Sequence, residues 1–321
     1  MIDIVDLFNA CLYIQDNLDA DLSLLFLAQT VGLSRFRFHR VFKAWRGETL
    51  HDFVTRMRME RAAFELSYPI PRSSRRSIKA IAFASGYKSL SSFSHAFSSY
   101  AQLSPREFRN RALRRRPEAP RFDPIAVPFG PFKISVSEQP ERRIAVLDPV
   151  KLPREGMSLA ALARLAETAP VVGPRYGVEL LPNVLARAQG EGNLSAKVRR
   201  LSCVGVAIAD WLEAARQSRN GRTAPRTEIR LDAGRYAVLE GTGSIAAVYR
   251  AWRRGFDAWL AVSGECPKPG RLYVRVLDGG ASDTDGRAQV ALFIPLEEVS
   301  TAASRAARVE RIESMTAPSA S

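Results

Sequence analysis

From residue 3 to about residue 110, apolar positions recur at the three-to-four spacing of helices, and no stretch alternates convincingly as a strand would. Ile4, Leu7, Phe8, Cys11, Leu12 and Ile14 mark a first amphipathic helix. Leu24 to Ala28 predict a second, introduced by Asp21-Leu22-Ser23 and interrupted by Val31-Gly32-Leu33-Ser34. Gly32 suits a sharp turn because it tolerates positive φ, and Ser34 is a good N-cap for a third helix. That third helix, to about Trp45, turns Phe38, Val41 and Phe42 to one side and Arg35, Phe36, His39, Arg40 and Lys43 to the other. A longer helix over about 50–67 runs into Pro69 and Pro71, which stop it. The arrangement then repeats. Ser77 caps a helix containing Ile78, Ile81 and Ala82, Gly86 makes the turn, and Ser89 opens a helix with Phe93, Phe97 and Tyr100 inward. Ser104 and Pro105 start a last short helix, as cap and first residue.

From Phe132 onward the period changes to two. Strands are predicted at Phe132/Ile134/Val136, 144–147, 203–208, 236–239, 272–277 and 290–294, with helical stretches at 158–168 and 245–262. Arg143-Ile-Ala-Val-Leu-Asp148 is echoed by Arg235-Tyr-Ala-Val-Leu-Glu240, each ahead of a helix and two strands. The expected fold is therefore an all-α double helix-turn-helix domain, followed by an α+β domain of duplicated strand-helix-strand-strand units with helices on one face of the sheet. Boundaries are expected at 1–113 for the first domain and 132–298 for the second. The Arg/Pro-rich stretch 114–131 reads as a stiff linker, and the Ala/Ser-rich tail 299–321 as mostly disordered.

Charge sharpens the first half. Residues 1–33 carry five acids and no Lys or Arg, whereas residues 34–116 carry 19 basic residues against five acids. A basic excess confined to one segment is the footprint of a polyanion-binding module, since contacts to phosphates release condensed counterions. With 321 residues and 46% apolar content, two globular domains are expected. No apolar run is long enough for a membrane span, the N-terminus has no basic leader region, and a cytoplasmic location is the expectation. Cys11, Cys203 and Cys266 form no disulfide framework or metal spacing, and no cofactor, metal set or catalytic triad is readable.

The helical half resembles the DNA-binding domain of the AraC/XylS family of transcription regulators. The matching residues are Leu27-Ala28, Val31-Gly32-Leu33-Ser34, Phe38 and Arg40-Val41-Phe42-Lys43 in the first unit. In the second they are Ile78, Ile81-Ala82, Gly86-Tyr87, Ser89, Ser92-Phe93-Ser94, Phe97, Ser104-Pro105 and Phe108-Arg109. The resemblance implies sequence-specific binding of double-stranded DNA, with RNA polymerase as a further partner. It places Arg35, Phe36, His39, Arg40 and Lys43 on the first recognition helix, and Leu90, Ser91, Ser94 and His95 on the second. Arg and aromatic side chains read guanine edges and thymine methyls, so the first helix is expected to dominate readout, with the second mostly positioning the backbone. Between Leu66 and Ile78 the chain is longer than the family usually allows. The extra Pro71-Arg72-Ser73-Ser74-Arg75-Arg76 reads either as a solvated loop or as added phosphate contacts.

The second half resembles, more loosely, the GyrI-like effector-binding domain, through the duplicated architecture, the Pro140 and Arg143-Ile-Ala-Val-Leu start, Gly241-Thr-Gly-Ser with Tyr249, and Phe293-Ile294-Pro295-Leu296. The resemblance implies a cleft between the repeats for a small-molecule effector, with Tyr249, Trp252, Trp259, Arg271 and Tyr273 as candidate ligand-binding residues. The Tyr249/Trp252/Phe256/Trp259 stripe also reads as ordinary core. Where the family commonly carries a Glu two residues before the strand tyrosine, this chain has Arg271. Either the ligand is neutral or anionic, or the cleft no longer binds one. A non-enzymatic regulator modulated by a small molecule is the leading expectation; the alternative is a GyrI-like binding or hydrolytic domain tethered to DNA. DNA-repair methyltransferases also carry AraC-type modules, but Cys266 lacks their Pro-Cys-His-Arg setting.

Overall fold

A computed structural model of the chain describes residues 4–67, 76–114, 133–147, 174–179, 202–217, 225–243, 256, 259–260, 263, 265–276 and 288–298. The described N-terminal third is helical: α1 (Ile4–Asp16), α2 (Leu24–Thr30), α3 (Arg35–Arg46), α4 (Leu50–Ser67), α5 (Ile78–Ala84), α6 (Leu90–Ala101) and α7 (Pro105–Arg114). Serine side chains fix where these helices begin. Ser23, Ser34, Ser77 and Ser89 accept from the amides of Phe26, Arg37, Ala80 and Ser92, each satisfying an N–H that the first helical turn leaves over. Ser104 and Glu107 cap α7 reciprocally, each accepting from the other's amide, with Pro105 at the first helical position. Thr49 accepts from the Asp52 amide and so starts α4 in the same way. Between α2 and α3, and again between α5 and α6, Gly32 and Gly86 take left-handed φ values of 67° and 76°.

The C-terminal half supplies an antiparallel sheet of β1 (Lys133–Gln139), β2 (Arg142–Leu147), β3 (Arg175–Glu179), β4 (Ser202–Ala207), β5 (Glu228–Leu231), β6 (Gly234–Gly243), β7 (Leu272–Val276) and β8 (Ala288–Pro295). Their order across the sheet is β1-β6-β8-β7-β3-β4-β2-β5. β3 and β7 meet at the centre, with Val178 opposite Tyr273. Helix α8 (Ile208–Gln217) comes directly after β4, where the sequence pattern carries the strand on to Ile208. β3 and β5 are not evident in the pattern, because Arg-Tyr-Gly-Val-Glu and Glu-Ile-Arg-Leu offer only two apolar positions each. The predicted helix at 158–168, the linker, most of Pro71–Arg76 and the tail lie outside the described residues.

Because side chains alternate along a strand, the sheet presents two distinct faces. Leu272, Val274 and Val276 of β7, with Val290, Leu292 and Ile294 of β8, join one buried cluster together with Phe256 and Leu260. Tyr273, Ala291 and Phe293 join the other, with Tyr176, Tyr236 and Val238. The sequence predicts helices on one face only, yet both faces are buried. Each cluster also runs into the helical half. The aliphatic face is continuous with Phe64, Leu66, Phe93 and Phe97, and the aromatic face with Leu7, Phe8, Phe38 and Phe42. The two halves therefore share their cores.

Candidate nucleic-acid interface

Helix α3 is anchored from beneath by Phe38 and Phe42, both fully buried, whose rings pack 5.7 Å apart with Phe53 edge-on to Phe42. That anchoring fixes which side faces out. Arg35, Phe36, Arg37, Arg40 and Lys43 are exposed, and His39 is half-buried. Phe36 is 73% exposed, an unusual position for a phenyl ring on a helix that already has a full apolar underside. The guanidinium of Arg35 sits 4.7 Å from the Phe36 ring centroid. Arg35, Arg40 and Lys43 form no ion pair among the described residues, which leaves their charge for an external anion.

Other cations of the module are already committed. Arg56 donates to both carboxylate oxygens of Glu48, and Arg46 pairs with the same group at 3.7 Å. Arg58 donates to the carbonyls of Leu18 and Ala20, which ties α4 to the end of the first helical segment. Arg76, the last residue of the extra stretch, pairs with Glu65 at 2.8 Å, and its carbonyl accepts from Arg109. At that residue the stretch is held to the fold. Burial pushes the Glu65 carboxyl above the usual range, while Arg76 and Arg61 pull it back. The local basic excess is thus two populations: arginines that hold the module together, and outward cations, of which α3 carries Arg35, Arg37, Arg40 and Lys43.

Helix α6 repeats the geometry with different side chains. Phe93 and Phe97 are fully buried, 5.7 Å apart, with Phe108 edge-on to Phe97. Leu90, Ser91 and His95 are exposed and Ser94 half-buried, so the four residues placed on this face by sequence lie outward or at its margin. His39 also lines a pocket with Thr49, His51 and Arg58.

The residues expected to line a ligand cleft separate. Arg271 and Tyr273 lie on the aromatic face, whereas Trp259 packs against the aliphatic cluster and stacks on Phe256. Alternation along β7 puts the two faces on opposite sides of the sheet, so Trp259 does not wall a pocket with Arg271. Tyr249 and Trp252 lie outside the described residues. Arg271 is itself occupied, donating to the Arg230 carbonyl and to Asp16 of α1. Sequence reasoning missed Asp16, since nothing in the local pattern links it to a strand 255 residues away. Cys11 is buried, and burial pushes its thiol up to about 12. Among the described residues no cluster could hold a metal ion, and no helix is long and apolar enough to cross a membrane.

Residues 27–111 match a family described as a helix-turn-helix domain. An uncharacterized HTH-type transcriptional regulator of Haemophilus influenzae is 37% identical over 83 residues, 26% of either chain, so this chain spans about a quarter of that relative. The regulatory protein SoxS of Escherichia coli K12 is 30% identical over 99 residues, covering 31% of this chain and 88% of that protein. A solved transcriptional regulator of Chromobacterium violaceum, of the AraC-type DNA-binding kind, is 28% identical, covers 33% of this chain and 91% of its own, and has a TM-score of 0.30.

Proposed function

The chain belongs to the AraC-type family of helix-turn-helix transcription regulators, and from that premise we propose that it reads specific double-stranded DNA chiefly through α3 and responds to a small molecule at its sheet domain. The observation that carries the DNA reading is the outward face of α3, where exposed Arg40, Lys43 and Arg35 surround an exposed Phe36 on a helix locked by its cap and its buried phenylalanines. Arg pairs bidentately with guanine, and an aromatic ring packs on a thymine methyl. Helix α6, with Leu90, Ser91, Ser94 and His95, contributes mainly backbone positioning. RNA polymerase is the expected partner at promoters, and the function is binding rather than catalysis.

Genome-wide mapping of sites bound by the full chain tests this reading. The chain carrying Arg35→Ala, Arg40→Ala and Lys43→Ala together should lose the enriched sites. Retention of the same sites by the triple variant would remove α3 from the mechanism.

The effector reading is supported by the sheet. Exchanging β1–β4 with β5–β8 gives the same strand order read from the opposite edge, as expected of two copies of a GyrI-like strand-helix-strand-strand unit facing each other. A planar anion or a neutral aromatic is the proposed ligand class, since the acid expected before Tyr273 is Arg271.

A further inference from the structure

Helix α4 serves both helix-turn-helix units, and its buried side passes from one core to the other along its length. Phe53, Val54 and Met57 lie in the cluster that holds Phe38 and Phe42 of α3. Met59, Ala62 and Ala63 lie in the cluster that holds Phe93 and Phe97 of α6. The change falls between Met57 and Met59, on either side of Arg58. Two cores strung along one helix take their relative setting from whatever crosses between them.

Arg58 crosses that seam. On the first unit's side its Nε donates to the Leu18 carbonyl at 2.9 Å and its Nη2 to the Ala20 carbonyl at 3.0 Å, both in the connection between α1 and α2. On the second unit's side its guanidinium lies 6.0 Å from the ring centroid of Tyr87, in the turn before α6. The Tyr87 ring in turn stands edge-on to Phe93 of α6 at 5.6 Å. Gly86 closes the same joint, because a Cβ there would lie 2.5 Å from the Leu18 carbonyl oxygen and 2.7 Å from the guanidinium. Burial lowers the Arg58 pKa below the ordinary arginine value, with Tyr87, Asp19 and Asp21 opposing. The two carbonyls and the ring offset that cost. An arginine kept only for its charge would stand in solvent, as Arg35 and Arg40 do.

Two recognition helices on one duplex must agree with its pitch. A slip of one base pair, about 3.4 Å along the axis, turns the groove by about a tenth of a turn. A second helix held loosely therefore meets the backbone at several offsets and gains little from the docking of the first. We infer that Arg58 is a positioning residue that fixes where α6 meets DNA relative to α3. It acts as a brace between the α1–α2 connection and the Gly86-Tyr87 turn, and it does so without touching DNA. This deepens the DNA reading and rests on it for its consequence at DNA, but the brace itself can be measured in the free protein.

The test begins with the free full chain and a spin-label distance measurement. Nitroxides are placed at Arg37→Cys on α3 and Ser91→Cys on α6, with Cys203 and Cys266 replaced by serine and buried Cys11 left in place. The distance distribution should be narrow with Arg58 and broad with Arg58→Met. The unlabelled chain is then bound to the duplex that it selects from a random pool, and hydroxyl-radical cleavage maps the protected sugars. The wild type should leave two sharp patches. Arg58→Met should keep the patch under α3 and blur the one under α6. Its affinity should fall about ten-fold on the full duplex, and by less than about two-fold on a duplex cut back to the α3 patch. Arg58→Lys keeps the charge but not the planar fork, so it should behave as Arg58→Met does. Tyr87→Leu should broaden the distribution as well, and it reports on the same brace should the Arg58 variants fail to fold. An unchanged distribution in Arg58→Met, or two sharp patches with Arg58→Lys, overturns the proposal. A broadened distribution in a chain that selects no duplex keeps the brace and defeats the DNA reading instead.

Discussion

The two helix-turn-helix units share a scaffold and differ on the surface that faces outward. Ser34 and Ser89 cap two helices of 12 residues each; Phe38 and Phe42 in one stand where Phe93 and Phe97 stand in the other. Both helices end on a left-handed residue, Gly47 and Gln102. Outward, the correspondence fails. Arg35, Phe36, Arg40 and Lys43 of α3 correspond in position to Leu90, Ser91, His95 and Ser98 of α6. Caps and buried rings are dictated by the need to make and dock a helix, so they recur. Outward residues answer only to what they touch, so they diverge, and of these two helices only α3 carries exposed cations.

The turns differ as well. A Cβ on Gly32 would meet nothing within 4 Å, whereas one on Gly86 would lie 2.5 Å from the Leu18 carbonyl oxygen and 2.7 Å from the Arg58 guanidinium. Both glycines need positive φ, but only the second is also pressed against the other unit. Gly86→Ala should therefore destabilise the full chain by about 2–5 kcal/mol, combining left-handed strain with overpacking. Gly32→Ala should cost about 1–2 kcal/mol from strain alone. Urea unfolding of the two variants checks this, and equal losses would mean that the close approach at Gly86 carries no weight.

Next in size is the effect on DNA. Arg40→Ala should weaken binding to a preferred site by about 1–3 kcal/mol, and Ser94→Ala by less, measured by fluorescence anisotropy at fixed salt. A larger loss from Ser94→Ala would reverse the ranking of the two helices. Removing the caps should be more even-handed: Ser34→Ala and Ser89→Ala should each cost about 1 kcal/mol of stability, because each leaves one amide of the first turn unsatisfied. A thermal melt that separates them widely would show that the scaffold is not as equal as its geometry. The smallest effect has the opposite sign. Gln102→Gly should stabilise by up to about 1 kcal/mol, since φ of 56° is strained for glutamine and free for glycine. The Gln102 side chain donates to the Ser99 carbonyl at 2.7 Å, and loss of that bond limits the gain.

The helical half is legible in the sequence because its determinants are local. Caps, turn glycines and the halting prolines each sit within a few residues of the boundary they set. The sheet is legible in its longer strands and not in β3 or β5, where two apolar positions give too short an alternation to register. Ile208 continues an apolar run yet begins α8, so tertiary context overrides the period there. The described members of the candidate ligand set are divided between the two faces for a different reason. Helical spacing rightly places Phe256 and Trp259 near each other, but spacing along one helix cannot say which face of a sheet that helix covers. The Asp16 partner of Arg271 lies furthest from reach, because an ion pair closed across 255 residues leaves no trace in either local sequence.

Selection of bound sequences from a random DNA pool, with the wild-type chain, Arg40→Ala and His95→Ala side by side, tests unequal readout most directly. The wild type should enrich one motif. Arg40→Ala should lose base preference at one block of that motif while the remaining positions persist, and His95→Ala should leave the motif nearly intact. Loss of the motif in His95→Ala with retention in Arg40→Ala would contradict the assignment of base reading to α3.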